Sequence, residues 1–196
     1  MKTISALICG LVFAAFPFAA SAQQSAFKID KITPNFIESP QFQIGNAAHQ
    51  APQGSTAKWL EVEVQFESAV DADELTVNYY VALSVPTSTT ALVLPGSVTH
   101  VNVSKGQELY SVMYVPPQAI LKLMSGQPAT INAVKAVGIE LAVKGQVVAR
   151  KSSKGGLADL WWTQMQQTAG MLLNKNQTPF APLYWDRYLE VKPSEH

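Results

Sequence analysis

The feature that most restricts the fold of this chain is the strict alternation of apolar and polar residues from Trp59 to Phe66. From residue 60, every second position holds leucine, valine or phenylalanine, and glutamate or glutamine lies between them. Side chains in an extended strand point alternately to opposite faces of a sheet. The pattern therefore predicts a strand with one buried face and one face in water, and the segment from Leu75 to Val85 repeats it.

Comparable segments recur along the chain, with turn residues between them. The further strand candidates are Phe27 to Ile32, Val98 to Val103, Leu109 to Val115, Val134 to Val143 and Gln146 to Lys151. Lys144-Gly145 predicts a tight hairpin between the last two of these. Short strands joined by hairpin-length connections are typical of a sandwich of two antiparallel sheets. We therefore predict an all-β fold.

Two regions depart from the strand pattern. Residues 116–126 place proline where a helix begins and glycine where it ends, which predicts one short helix. We expect this helix to pack Ile120, Leu121 and Met124 across one end of the sandwich. Residues 33–57 contain three prolines and two glycines, and they predict a loop-rich excursion over the surface rather than a second domain.

The first 22 residues predict a secretory signal peptide. Lys2 supplies a short positive region, the segment from Ile4 to Ala20 is apolar, and an A-x-A sequence ends at residue 22. The apolar part is short for a stable membrane span, so we expect no transmembrane segment in a mature chain that begins at Gln23. Cys9 lies too early for a lipoprotein signal, and the leader of a type IV pilin does not fit either. We expect export to the periplasm or the outer cell surface.

Charge and cysteine content exclude several classes of protein. The chain has 14 basic and 14 acidic residues, and cleavage of the signal peptide would remove one lysine and the only cysteine. A near-neutral protein has no electrostatic basis for binding nucleic acid or an anionic membrane. A mature chain without cysteine must be held together by its core. We expect a sandwich over residues 23–155 and an aromatic and proline-rich segment over residues 156–196.

No residue pattern predicts catalysis, a cofactor or a metal site. His49 and His100 stand apart, without the clustered ligands that zinc requires, and are expected to be structural or solvated. Glu61 and Glu63 share a strand face about 7 Å apart, a separation that an inverting glycosidase could use. Alternating acids are also the ordinary way in which a strand wets its outer face, and we favour that interpretation. We therefore expect catalytic, cofactor-binding and metal-binding residues to be absent.

The last part of the chain crowds large aromatic residues into an irregular segment. They are Trp161, Trp162, Phe180, Tyr184, Trp185 and Tyr188. So much aromatic surface must be buried on the protein itself or on a partner. We interpret the six residues as candidates for an interface, formed with a protein partner or with a second copy, or for a surface that stacks sugar rings. The alternative is that they cover the open end of their own sandwich.

Two local structures are also expected in this segment. Apolar residues at helical spacing predict a helix from about Leu157 to Leu172, although Gly170 argues against a stable last turn. The segment from Tyr184 to Val191 is a candidate for a final strand. Pro179 and Pro182 require non-helical backbone between the two.

The aromatic segment resembles a known protein family. Trp161-Trp162 and the stretch from Leu172 to Tyr188, with general agreement from Trp59 to Arg150, resemble the exported immunoglobulin-like protein of verrucomicrobial bacteria that is encoded among type IV pilus-related genes. The resemblance implies an immunoglobulin-like antiparallel β-sandwich with affinity to pilin structures, and it offers no catalytic residue to transfer. Because the chain has neither the leader nor the retained N-terminal helix of true pilins, an accessory or surface role fits better than polymerisation into a pilus.

These observations predict a non-enzymatic exported protein that acts in cell-surface or type IV pilus-associated assembly, through a protein partner or self-association. The alternative is a carbohydrate-binding β-sandwich module that uses the aromatic segment on surface glycans. A hydrolase with an unrecognised site is the third class, because scattered catalytic residues leave no local signature.

Overall fold

The computed structural model describes residues 26–40, 43–44, 47–48, 58–184 and 186–193. The predicted signal peptide, His49 and the candidate Trp185 lie outside the described residues. Within those ranges, none of the helices has the length and apolar character needed to cross a lipid bilayer.

The described residues form two four-stranded sheets and one small hairpin. The strands are β1 (Phe27–Ile37), β2 (Gln43–Ile44), β3 (Ala47–Ala48), β4 (Trp59–Ser68), β5 (Ala72–Leu83), β6 (Leu92–Val103), β7 (Gly106–Val115), β8 (Val134–Val143), β9 (Gln146–Ser152) and β10 (Leu173–Asn174). The first sheet has the order β1-β4-β7-β10, the second has the order β6-β5-β8-β9, and β2 pairs with β3. All of these strand pairs are antiparallel. Helix α1 spans Pro117–Leu123, and single turns of 3-10 helix span Ile131–Ala133, Trp161–Gln164 and Lys175–Gln177.

The alternating segments build the core between the two sheets, as predicted. On β4 the inward side chains Leu60, Val62, Val64 and Phe66 have no exposed surface. On β5 every second residue from Leu75 to Leu83 joins the same cluster. Burial of these side chains is the main favourable term in folding, since a chain with a single cysteine cannot form an internal disulfide.

The seven long strands are distributed as in an immunoglobulin-like sandwich. The first, second and fifth of them, β1, β4 and β7, lie in one sheet, whereas β5, β6, β8 and β9 lie in the other. This arrangement is that of an immunoglobulin domain whose fourth strand pairs with the third, on the second sheet. The predicted all-β sandwich is therefore confirmed.

Two local predictions are also confirmed. Lys144 and Gly145 both have positive φ, of 49° and 78°, as a two-residue type I′ hairpin between β8 and β9 requires. Helix α1 has proline in its first turn, and Ile120 and Met124 are buried where it closes one end of the sandwich, whereas Leu123 packs against the core in place of the predicted Leu121.

Strand β1 is longer than predicted. We expected it to end at Thr33-Pro34, but it continues to Ile37, and Pro34 lies opposite Val62 of β4. The order of the first sheet places β1 at its edge. An edge strand tolerates proline because the missing N–H can face the side on which no ladder bond is needed.

The two local predictions for the aromatic segment are wrong. The helix expected from Leu157 to Leu172 is reduced to the single turn Trp161–Gln164, preceded by Leu160 in the left-handed region at φ 56°. In place of a final strand, Tyr184 has φ 53° and Val191 makes an isolated bridge to His100. In both places the backbone makes hydrogen bonds to strand β6, at Val93 and on either side of His100, instead of forming the predicted helix or strand.

Residues 153–184 and 186–193 form what we call the C-terminal belt, which runs around the side of the sandwich. Near its start, the Val93 N–H donates to the Gln166 carbonyl and the Thr168 N–H donates to the Val93 carbonyl, both at 2.9 Å. The belt then adds β10 to the edge of β7. On its return, the Lys192 N–H donates to the Thr99 carbonyl at 2.8 Å. The belt therefore covers the edges that β6 and β7 would otherwise leave open to intermolecular pairing.

Candidate functional site

The structure separates the described aromatic candidates into two groups on opposite outer faces of the sandwich. Trp161 and Trp162 lie on the outer face of the second sheet, where they pack with Ala82, Val93 and Ala136. The rings of Trp162 and Tyr80 stack with centroids 4.7 Å apart. Both tryptophans are buried within their own chain.

Gly138 makes this close packing possible. A Cβ atom at Gly138 would lie 2.5 Å from two ring carbons of Trp162, which is closer than any real side chain approaches. The absence of a side chain on β8 therefore lets the indole ring lie flat against the sheet. Trp161 is further held by its Nε1–H, which donates to Ser152 Oγ at 3.2 Å.

Phe180 belongs to the second group, on the outer face of the first sheet. Its ring stacks on Tyr114 with centroids 4.7 Å apart and meets the edge of Trp59 at 5.5 Å. Val112 completes this buried cluster, and Leu183 and Tyr188 pack against it. Phe180 therefore anchors the belt to the first sheet in the same way as the tryptophans anchor it to the second.

Beside Phe180 the belt borders a cleft of about 460 Å³, which we call the belt cleft. It is lined by Ile37, Glu38, Pro40, Glu61, Phe180, Leu183, Tyr184, Arg187 and Tyr188. Five large apolar side chains are exposed in the described part of the chain, and among them Tyr184, at 56%, is the only aromatic one. Its ring meets that of Tyr188 edge-on with centroids 6.4 Å apart. The cleft thus has buried aromatic packing on one side and an exposed tyrosine at its mouth.

Arg187 holds one side of the cleft in a fixed geometry. Its Nε and Nη2 each donate to a carboxylate oxygen of Glu63 at 2.9 Å, and the Tyr188 hydroxyl donates to the same group at 2.9 Å. The guanidinium also lies 4.0 Å from the centroid of the Tyr110 ring. Burial acts to raise the pKa of Glu63, but the hydrogen bonds from Arg187 and Tyr188 outweigh it and hold that pKa below its usual value. A bidentate pair of this kind fixes direction as well as charge.

Glu61 differs in environment from Glu63, although the two share a strand face. Burial is the largest influence on the Glu61 carboxyl and, with the nearby charge of Glu63, it raises the pKa of Glu61. The buried Tyr114 hydroxyl acts to lower the pKa of Glu61, but its effect is smaller than that of burial. Glu63 is occupied by Arg187 and Tyr188, so the two acids do not form the acid–base pair that a glycosidase needs. The arrangement is suited to stacking and hydrogen bonding.

Sequence reasoning missed the roles of Glu61, Glu63 and Arg187 in the cleft. We expected the outer face of β4 to be in water, whereas the belt covers part of it. Arg187 lies 124 positions from Glu63 in the chain. No local pattern predicts a contact of that separation. The one available signal was the aromatic composition of the belt, which indicated that its side chains must be buried against the sandwich or against a partner.

A polar chain crosses the core beneath the returning belt. The Tyr79 hydroxyl donates to Ser111 Oγ at 2.7 Å, and Ser111 Oγ lies 2.7 Å from His100 Nε2. His100 Nδ1 lies 3.3 Å from the carbonyl oxygen of Glu190. Neutral His100 satisfies the whole chain if Ser111 donates to Nε2 and Nδ1–H donates to Glu190, an assignment made from the hydrogen-bonding pattern. Burial lowers the pKa of His100 to about 4, which favours that neutral form.

The serine and histidine of this chain do not form an accessible catalytic pair. His100 is 1% exposed and Ser111 has no exposed surface, so a substrate cannot reach the serine hydroxyl that would act as nucleophile. Their role in the structure is to satisfy each other and to tie residues 189–191 of the belt to the core. Among the described residues, no three histidine, cysteine, aspartate or glutamate side chains lie close enough to hold a metal ion.

Fold and cleft together define a class, the all-β immunoglobulin-like sandwich with a C-terminal segment folded back over both outer faces. A family model matches residues 18–195, and the chain belongs to that family. A crystal structure of a protein from Akkermansia muciniphila matches with a TM-score of 0.74 and 26% identity, over 86% of this chain and 94% of that chain. The predicted resemblance to a verrucomicrobial protein is confirmed to this extent. No curated protein matches the chain.

Proposed function

We propose that the protein is an exported, non-catalytic binding module that takes part in assembly at the cell surface, in association with type IV pilus components. Its partner would be a protein, with a second copy of the chain as the first case to test. The observation that supports the proposal is the belt cleft, where Tyr184 is exposed beside a rigid aromatic and charged framework. The resemblance to an exported verrucomicrobial protein supplies the pilus association.

The cleft has the composition of a protein interface. Tyrosine and arginine are enriched among residues that dominate binding energy, because they offer large contact areas with few rotatable bonds or several donors. Arg187 and Tyr188 are held in place by Glu63 before any partner arrives, so little order is lost on binding. Tyr184 is then the anchor available to a partner.

Tyr184→Ala is expected to weaken self-association of the mature chain about tenfold or more, since truncating an interface anchor costs on the order of 1–2 kcal/mol. Sedimentation velocity over a range of concentrations would measure the average mass. Ile131→Ala is the matched control, because Ile131 is similarly exposed, at 48%, but lies outside the belt cleft. A wild-type chain that stays monomeric at all concentrations, or equal effects of both variants, would contradict self-association through the cleft.

The glycan-binding alternative is separated by the same variants. An exposed tyrosine ring beside the Glu61 carboxyl also suits a sugar, whose C–H face stacks on the ring while its hydroxyls donate to the acid. In that case the mass stays that of a monomer, and added host glycans change the fluorescence of Trp59, whose ring contacts Phe180. The change would be lost in Tyr184→Ala and kept in Ile131→Ala.

Export has a test of its own. Expression of the full chain in a bacterium is expected to yield protein in the periplasmic or external fraction that begins at Gln23, as read by N-terminal sequencing. Ala22→Phe is the control, because a bulky residue at the cleavage site should leave the precursor uncut. A cytoplasmic protein that keeps residues 1–22 would show that the export prediction is wrong.

A further inference from the structure

Lys175 is a buried residue whose ammonium group has no counter-ion among the described residues. The residue is 6% exposed, and its Nζ donates to the Ala181 carbonyl at 2.8 Å. Within the described part of the chain, no carboxylate lies within ion-pair distance of Nζ, and Ala181 is its single hydrogen-bond acceptor. An ammonium group has three N–H donors, so two remain available. Removing such a charge from water is unfavourable unless it is paired.

The backbone at Lys175 is fixed by local hydrogen bonds. The Gln177 side chain accepts from the Asn174 N–H at 3.0 Å, and the Thr178 hydroxyl donates to the Lys175 carbonyl at 2.7 Å. The turn is further held because Phe180 is buried on the first sheet. The lysine is therefore held under the belt by its surroundings, rather than placed there by a flexible loop.

Lys175 lines a cavity of about 350 Å³ between the belt and β7, which we call the lysine cavity. Its other lining residues are His100, Val112, Asn176, Ala181, Tyr188, Leu189, Glu190 and Val191. Half of these eight residues are apolar, namely Val112, Ala181, Leu189 and Val191. The other ionisable side chains at the cavity are engaged elsewhere or exposed. Neutral His100 is hydrogen-bonded to Ser111, and the Tyr188 hydroxyl donates to Glu63. Glu190 is an exposed residue. Lys175 is thus the one available cation among the described residues that line the cavity.

We propose that the lysine cavity binds a carboxylate that carries a short apolar body, with Lys175 donating to the carboxylate. The volume is at the lower end of the range for small-molecule sites, and the apolar half of the lining favours a ligand with hydrocarbon beside its charge. A phosphate would leave most of its oxygens without donors. The carboxylate could belong to a free short-chain acid or to the C-terminus of a peptide.

Burial by itself lowers the pKa of Lys175. A bound carboxylate would act in the opposite direction, because an adjacent negative charge favours the ammonium form. The ligand would therefore supply the negative charge that no described side chain places beside Lys175.

The test measures thermal unfolding of the mature chain in sodium butyrate, with sodium chloride and sodium phosphate at matched ionic strength. We expect butyrate to raise the melting temperature in a saturable manner, and chloride and phosphate to have no such effect. A second arm compares an acetylated tripeptide ending in a free valine carboxylate with its C-terminal amide. A response to butyrate identifies a free acid, and a response only to the free-carboxylate peptide identifies a peptide terminus. If none of the carboxylates shifts the melting temperature beyond chloride, the proposal is overturned.

Lys175→Met is the decisive variant, because methionine keeps an apolar stem and removes the charge. It is expected to fold with an equal or higher melting temperature in chloride and to lose the carboxylate response completely. Lys122→Met, on the exposed side of α1, is the matched control and should respond like the wild type. If Lys175→Met does not fold, Lys175→Gln, which keeps a donor toward Ala181, takes its place with the same expected loss. A response in either Lys175 variant equal to that of the wild type would refute the role of the ammonium group. The Lys175 variants leave the proposed anchor of the belt cleft unchanged, since Tyr184 does not line this cavity and Lys175 does not line the cleft.

Discussion

Trp162→Ala is expected to lower the free energy of unfolding by about 3–5 kcal/mol, the range for truncating a large buried aromatic side chain. Trp162 is 2% exposed, stacks on Tyr80 and fills the space that Gly138 leaves over β8. Its loss removes apolar burial and leaves a cavity, because the flat sheet below cannot move to fill it. It also releases one of the two anchors of the belt.

Urea unfolding of the mature chain at neutral pH would measure this effect. Leu157→Ala is the matched control, since Leu157 belongs to the same segment, is 37% exposed, and should change the free energy of unfolding by no more than about 0.5 kcal/mol. A loss of less than about 1 kcal/mol in Trp162→Ala would mean that the indole is not packed on the sheet in solution. The tryptophan would then be available as the interface residue that its sequence position indicates.

Acidification from pH 7 to pH 4 is expected to remove about 3 kcal/mol of stability through His100 alone. Burial lowers the pKa of His100 from 6.5 to about 4 in the folded protein. Between these two values the unfolded chain binds a proton that the folded chain does not. The contribution is therefore complete above pH 6.5, falls as the pH decreases, and is lost at about pH 4.

His100→Gln isolates this effect from the carboxyl groups that titrate in the same range. The raised pKa of Glu61 and the lowered pKa of Glu63 act in opposite directions on stability, and both are present in the wild type and the variant. The gap in unfolding free energy between the two proteins should therefore narrow by about 3 kcal/mol between pH 7 and pH 4. A gap that stays constant would show that His100 is not held neutral by the core. Hydrogen exchange of residues 189–191 should rise in parallel, because the Glu190 carbonyl accepts from His100.

The strands could be predicted because their signal is local. Leu60, Val62 and Val64 alternate with acids over one short stretch, and the buried face of β4 is the face that this alternation indicates. The hairpin at Lys144-Gly145 has the same character, since two adjacent residues determine the turn. Where one residue departs from the rule, as Pro34 does in β1, the position of the strand at the edge of its sheet decides the outcome.

The candidate site could be predicted in composition but not in geometry. The aromatic residues were recognised, yet Trp161 and Trp162 lie on one sheet and Phe180, Tyr184 and Tyr188 on the other. The helical spacing from Leu157 to Leu172 was misleading, because the backbone there bonds to Val93 of β6 rather than to itself. Helix propensity is a weak predictor where the edge of a sheet offers hydrogen-bond partners to the same backbone.

The sequence by itself determined the class of fold and the inward faces of the strands, because alternation and turn residues are patterns of neighbouring residues. Only the tertiary structure decided what the aromatic belt covers, which acid is held by Arg187, and that Lys175 is buried with no counter-ion in the described part of the chain. Each of these depends on residues brought together from distant parts of the chain. Their contacts are determined by how the belt crosses the finished sheets, and no pattern of neighbouring residues encodes that path.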